Sequence, residues 1–143
     1  MPTLKIKKLF PTAKIPQYMS TGAVGMDVFS NQEAAIYSGE SKLISTGLAV
    51  EVPDGYELQV RPRSGLAATY EVTVLNSPGT IDSDYRGELK ILLANFSPHT
   101  FVVEHGDRIA QLVIAPVVRA DVLEVDTLSN TERGIKGFGS TGV

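Results

Sequence analysis

Three stretches of this 143-residue chain hold more chemistry than turns require. The first is Asn76-Ser77-Pro78-Gly79-Thr80-Ile81-Asp82-Ser83-Asp84-Tyr85-Arg86-Gly87-Glu88, where Pro, Gly and one Asx residue would suffice for a hairpin. A carboxylate near a hairpin tip acts as a general base toward water, an Asn amide reads a base edge through a paired donor and acceptor, and a Tyr ring walls off a sugar. The second, Pro62-Arg63-Ser64-Gly65-Leu66-Ala67, puts a guanidinium, a hydroxyl and a glycine at the start of a predicted short helix. Backbone donors and the helix dipole attract anions there. The third is the last eleven residues, Arg133 to Val143. Four glycines, Ser140, Thr141, Arg133, Lys136 and the single ring of Phe138 supply anion donors and a planar face with almost no hydrophobic anchor. That inventory suits a nucleotide.

Two further stretches are sparser. Gly22-Ala23-Val24-Gly25-Met26-Asp27 places an acid after a run of small residues, and Gly106-Asp107-Arg108-Ile109-Ala110-Gln111-Leu112 places one amide, Gln111, in an otherwise apolar strand, where it needs a partner. Taken singly, each stretch also has a structural reading: a decorated surface hairpin, a Ser-capped strand-to-helix turn, a frayed terminus, a turn-stabilising acid, an amide paired with backbone or another subunit. The tail matches G-x-G-x-x-G at Gly137, Gly139 and Gly142, but only Val143 follows. No helix N-terminus is left to receive a pyrophosphate, so a dinucleotide-binding turn is not the reading.

The elements that must position these residues read as strands. Period-two patterns and turn punctuation recur, and no window holds helical periodicity beyond a turn or two. Strands are predicted over Leu4–Leu9, Met26–Ser30, Lys42–Val52, Tyr56–Pro62, Thr73–Asn76, Gly87–Asn95, Phe101–Val103, Arg108–Val117 and Ala120–Val125. Ile91-Leu92-Leu93-Ala94 and Ile109 to Ala115 are nearly all apolar, so those strands are expected to be covered on both faces or to lie at a subunit interface. The expected fold is all-β, a jelly-roll type β-sandwich with one short helix over Ser64–Thr69, capped by Ser64, and a flexible C-terminal tail. Residues 1–126 form the expected core and 127–143 the tail.

Composition narrows the classes. At 43% hydrophobic residues the chain can bury a core as one domain. It has no cysteine, and its two histidines, His99 and His105, cannot alone make a zinc site. A net charge of −3 argues against a nucleic-acid polymer as main partner. There is no apolar run of signal-peptide or membrane-span length, so the protein is read as intracellular, with the cytoplasm as expected compartment.

In order and together, the five stretches resemble the five motifs of the trimeric deoxyuridine triphosphatase (dUTPase) family. Arg63-Ser64-Gly65-Leu66-Ala67, Ile81-Asp82-Ser83-Asp84-Tyr85-Arg86-Gly87 and Gly137-Phe138-Gly139-Ser140-Thr141-Gly142 carry most of the likeness. Met26 stands where an aromatic or Leu is frequent, and Lys136 where a second Gly is frequent; neither removes a catalytic group. The resemblance implies a homotrimer with active sites at subunit junctions, hydrolysing dUTP to dUMP and pyrophosphate, which limits uracil entry into DNA. It implies Asp82 as general base for water attack on the α-phosphorus. Asn76 and the backbone of Gly79, Thr80, Ile81 and Asp82 would read uracil, Tyr85 would pack on deoxyribose, and Lys90 would position the hairpin or ligand. Arg63, Ser64, Gly65 and Gln111 would hold phosphates. The tail would arrive from another subunit with Phe138 over uracil and Arg133, Gly139, Ser140 and Thr141 near the phosphates. Mg²⁺ would ride on the triphosphate, touched by Asp27 only through water.

Two rivals share the fold. A dCTP deaminase would need a Glu five residues after Gly87, where this chain has Leu92. A catalytically silent nucleotide-sensing or protein-binding relative would be free to lose Asp82 and the phosphate-contact residues, all of which are present.

Overall fold

The computed structural model describes residues 1–142; Val143, the last residue of the predicted tail, lies outside the described residues. Eleven strands and one helix follow in order: β1 (Lys5–Lys8), β2 (Gln17–Tyr18), β3 (Met26–Phe29), β4 (Ala34–Ile36), β5 (Ser41–Glu51), β6 (Tyr56–Arg61), α1 (Ser64–Tyr70), β7 (Val72–Val74), β8 (Gly79–Ile81), β9 (Glu88–Asn95), β10 (Phe101–Val103) and β11 (Arg108–Pro116). All pairings are antiparallel. One sheet runs β1-β5-β9-β7, a second β2-β3-β11-β6-β8, and β10 pairs with β4 in a two-stranded ladder. Neighbours in each sheet are mostly non-consecutive, so the chain crosses repeatedly between layers, as in the expected jelly-roll type sandwich.

The core lies between the sheets. Val28, Leu58, Ile109 and Leu112 from one sheet meet Ile44, Leu89, Ile91 and Leu93 from the other, with Ile36 and Val103 of the ladder beside them. Burying each such side chain contributes about 1.5–3 kcal/mol, so the loops that carry chemistry hang from fixed strands. The apolar strands are covered within the chain over most of their length. Ile91, Leu93 and Ala94 are buried and Leu92 half-buried in β9; Ile109, Ala110, Leu112 and Val113 are buried in β11.

β5 carries a bulge between Ser45, which pairs with Lys90, and Leu48, which pairs with Leu89. Gly47 turns the bulge at φ +68°, and a Cβ there would meet Asn31 Nδ2 at 2.8 Å and Ala13 Cβ at 2.9 Å. The buried Thr46 hydroxyl closes it by donating to the Leu89 carbonyl and accepting from Leu48 N–H.

Three expectations need correction. Ala120–Val125 alternates like a strand but forms none; Val122 and Leu123 are 98% and 80% exposed, and a strand without a partner for its ladder is not stable alone. The helix begins at Ser64 itself, with Arg63 at the N-cap position and no side-chain cap bond. One residue inside the helix, the Ser64 hydroxyl does not serve as cap. The strand expected at Thr73–Asn76 stops at Val74, because the chain turns at Leu75 toward β8.

Candidate active site

The stretch from Asn76 to Glu88, expected as a hairpin, is instead a connection between the two sheets, because β8 pairs with β6 and β9 with β5 and β7 rather than with each other. It is built on close backbone approach. At Gly79 the chain crosses β6: a Cβ there would sit 3.0 Å from Val60 Cβ and 3.3 Å from Asn76 Nδ2. Glycine therefore lets the backbone and the Asn76 amide lie side by side. β8 then pairs with β6, Gly79 opposite Val60 and Ile81 opposite Leu58, which buries Ile81 and leaves Thr80 and Asp82 exposed. Asn76, Gly79, Thr80, Ile81, Asp82, Tyr85 and Lys90 all line one cavity of about 470 Å³. Leu92 lines it too, an apolar side chain at the position where a deaminase would need its acid.

The turn of this connection is braced by its own polar groups. Tyr85 N–H donates to the Asp82 carbonyl at 3.2 Å, closing a turn. Arg86 Nη1 donates to the carbonyls of Ser83 at 2.7 Å and Tyr85 at 3.0 Å. The Tyr85 hydroxyl donates to the Glu88 carbonyl at 2.9 Å. Glu88 in turn accepts from Ser45 Oγ at 2.8 Å and lies 3.8 Å from Lys90 Nζ. Ser45 stands opposite Lys90 at the edge of the β5 bulge, so the β1-β5-β9-β7 sheet braces the end of this connection.

A second cavity, about 280 Å³, gathers Asp27, Arg63, Ser64, Gly65 and Gln111. β11 organises it: Gln111 pairs in register with Asp27 of β3 on one side and Arg61 of β6 on the other. Asp27 is only 6% exposed. A buried carboxylate requires partners, and it has two, Arg108 Nη1 at 3.1 Å and Arg63 Nε at 3.9 Å. Arg63 Nη1 also donates to the Arg108 carbonyl at 3.1 Å, so this guanidinium is fixed at two points. Gln111 lies over Gly25, where a Cβ would come 2.6 Å from Gln111 Oε1 and 3.0 Å from its Cβ.

The two cavities share no lining residue. Asp82 follows Ile81, the partner of Leu58, so it stands by the start of β6; the Arg63 group lies past the end of the same strand. From Glu57 to Arg61 alone is about 13 Å along the strand. Among the described residues, the tail joins neither cavity. Arg133, Phe138, Gly139, Ser140 and Thr141 are exposed, and the stretch makes only local turns, such as Ser140 N–H to the Gly137 carbonyl at 3.2 Å. Among the described residues no group of three or more His, Asp or Glu side chains is placed to hold a metal ion, and no helix is long and apolar enough to cross a membrane.

Residues 12–142 match the family described as dUTPase. The chain belongs to the dUTPase family. It is 59% identical over 139 residues to the deoxyuridine 5'-triphosphate nucleotidohydrolase of Nautilia profundicola, covering 97% of this chain and 98% of that one. Among solved structures, a mutant dUTPase of Staphylococcus bacteriophage 80alpha with dUpNHpp superposes with a TM-score of 0.91 at 30% identity, covering 99% of each chain. A mutant dUTPase from phage phi11 of S. aureus, whose structure reveals coordination of a structural Mg(II) ion, gives 0.83 at 25% identity over 90% of this chain and 99% of that one.

Several residues of this dUTPase-family site escaped sequence reasoning. Arg108 belongs to no motif that announces its partner, although an Arg entering a buried strand calls for an acid nearby. Gly25 and Gly87 act through the space they leave, Arg86 through backbone carbonyls, and Ser45 and Glu88 through a side-chain bond across 43 positions, none of which leaves a pattern in the sequence.

Proposed function

We infer that this protein hydrolyses dUTP to dUMP and pyrophosphate, and so limits uracil entry into DNA. The observation that carries the reading is the cavity where the Asn76 amide, the backbone of Gly79, Thr80 and Ile81, the Asp82 carboxylate and the Tyr85 ring converge. Asn76 and that backbone read uracil, with Lys90 beside them. Tyr85 packs on deoxyribose and leaves no room for a ribose 2′-hydroxyl. Asp82 takes the proton from a water whose oxygen bonds to the α-phosphorus, while the bond to the bridging oxygen breaks and pyrophosphate leaves with that electron pair.

Arg63, Ser64, Gly65 and Gln111 hold the phosphates, and Asp27 acts on them by fixing Arg63. This donor set fits Mg²⁺ only as an ion carried by the triphosphate, because the Asp27 carboxylate is already paired with two guanidinium groups and reaches an ion through water at most. When bound, Mg²⁺ shields the phosphate charge.

One substrate must touch both cavities, yet they are separate in a single chain. A homotrimer satisfies this if one copy presents its Arg63 group to another copy's Asp82 cavity. The exposed side chains of Val118, Val122, Leu123 and Leu128 favour the same reading, since an apolar arm of this length needs cover. Residues 1–126 then form the hydrolase body, and 127–143 the tail that closes the site, with Phe138 over uracil and Arg133, Gly139, Ser140 and Thr141 at the phosphates. Purified protein is to be offered dUTP, dTTP, dCTP and UTP with Mg²⁺ while pyrophosphate release is followed. Release with dUTP alone is the expected result; equal release with all four removes the reading.

A further inference from the structure

Gly87 sits two residues after the ring that we assign to sugar selection, and conformation does not explain why it is glycine. The positive-φ residues of the chain do not include it. Space does explain it. A Cβ on residue 87 would lie 2.6 Å from Tyr85 Cζ and 3.0 Å from Cε2, and closest of all to the hydroxyl oxygen. The ring is folded back over the bare backbone of Gly87, and its hydroxyl reaches the Glu88 carbonyl at 2.9 Å. Glu88 is itself tied to Ser45 and faces Lys90, so the far end of this seat is anchored in β5 and β9.

We propose that Gly87 is a specificity-determining residue: its missing side chain forms the seat that holds the Tyr85 ring against the sugar position. The inference rests on the reading of Tyr85 as the wall that rejects a 2′-hydroxyl. Tyr85 is 44% exposed and can swing outward, so an added methyl group displaces the ring without breaking the fold. The ring then no longer fills the space beside C2′, and the site accepts ribose. Its effect falls on the choice between sugars and little on the water-activating carboxylate.

The test is the ratio of kcat/KM for dUTP to that for UTP in Gly87→Ala, Tyr85→Ala and the double variant, with thermal midpoints alongside. Expected is a drop in that ratio of about 10- to 100-fold in Gly87→Ala, reaching the Tyr85→Ala value, with nothing added in the double variant. If Tyr85→Ala loses discrimination while Gly87→Ala keeps it, or if the two losses add, the role of Gly87 is overturned and the sugar-wall reading stands. If Tyr85→Ala keeps full discrimination, the sugar-wall reading falls and takes this role with it. Should Gly87→Ala not fold, Tyr85→Phe reads the same seat from the ring's side. It removes only the bond to Glu88, and discrimination between the wild-type and Tyr85→Ala values is expected; the wild-type value there overturns the seat.

Discussion

At the scale of single residues, the proposed chemistry rests on which polar groups are already engaged by their neighbours. Asp82 and Glu88 both line the cavity proposed for base and sugar, but Glu88 accepts from Ser45 and faces Lys90, which leaves Asp82 as the proposed base. Asp82→Asn keeps size and shape but cannot accept the water proton, so dUTP should still bind while turnover falls by about 10² to 10⁴. Single-turnover hydrolysis beside equilibrium binding of dUTP measures both, and near-normal turnover would remove Asp82 from the mechanism. Gly25 has a different kind of importance. Its lack of a side chain lets the Gln111 amide lie toward the cavity proposed to hold phosphates, and Gly25→Ala should push that amide away. A lost hydrogen bond to a charged group costs about 1.5–3 kcal/mol, so KM for dUTP should rise by about 10- to 150-fold. The double variant with Gln111→Ala should be no worse than Gln111→Ala alone. Additive losses would mean that Gly25 serves only the packing of β3.

Elements were legible in proportion to their local contrast. β6 was visible because Leu58 and Val60 alternate with polar neighbours, and β10 was placed to the residue. β2, β4 and β8 were missed: two or three residues cannot show a period, and their pairing partners lie far off in sequence. In the candidate site, residue types were readable and their grouping was not. Asp27 and Arg108 meet across 81 positions, and no spacing rule announces that the Arg63 and Asp82 groups form separate cavities. The stretch Ala120–Val125 shows the reverse case, a strand pattern whose partner is missing from its own chain. The tail beyond it contributes no buried surface among its described residues. Truncation after Asn130 should therefore leave the thermal midpoint within a few degrees of the full chain, because it removes no core contact, and should abolish nearly all dUTP turnover. In the intact protein, dUpNHpp with Mg²⁺ should protect the tail from limited proteolysis as Phe138 stacks and Arg133 meets phosphate. Full-rate hydrolysis by the truncated chain would end its role as a lid.

At the scale of the whole molecule, the separation of the two cavities becomes a prediction about assembly. If each site joins one copy's Asp82 cavity to another copy's Arg63 group, two different dead variants can repair each other. Asp82→Asn spoils only the first half-site, and Arg63→Ala only the second, leaving Asp27 its closer partner Arg108. Each variant alone should be inactive as a homo-oligomer. Co-expressed with different affinity tags and purified through both, the mixed assemblies should recover activity, because a junction that takes Asp82 from the Arg63→Ala copy and Arg63 from the Asp82→Asn copy is intact. In every trimer that carries both tags about a third of the sites combine two sound halves, a signal far above the background of either parent. If both halves had to come from one chain, every site in the mixture would carry one lesion and the mixed assemblies would stay inactive. Dual-tagged assemblies without activity would thus overturn the shared site, whereas activity at about a third of wild type would explain why a single chain keeps the cavities proposed for nucleoside and for phosphates at opposite ends of one strand.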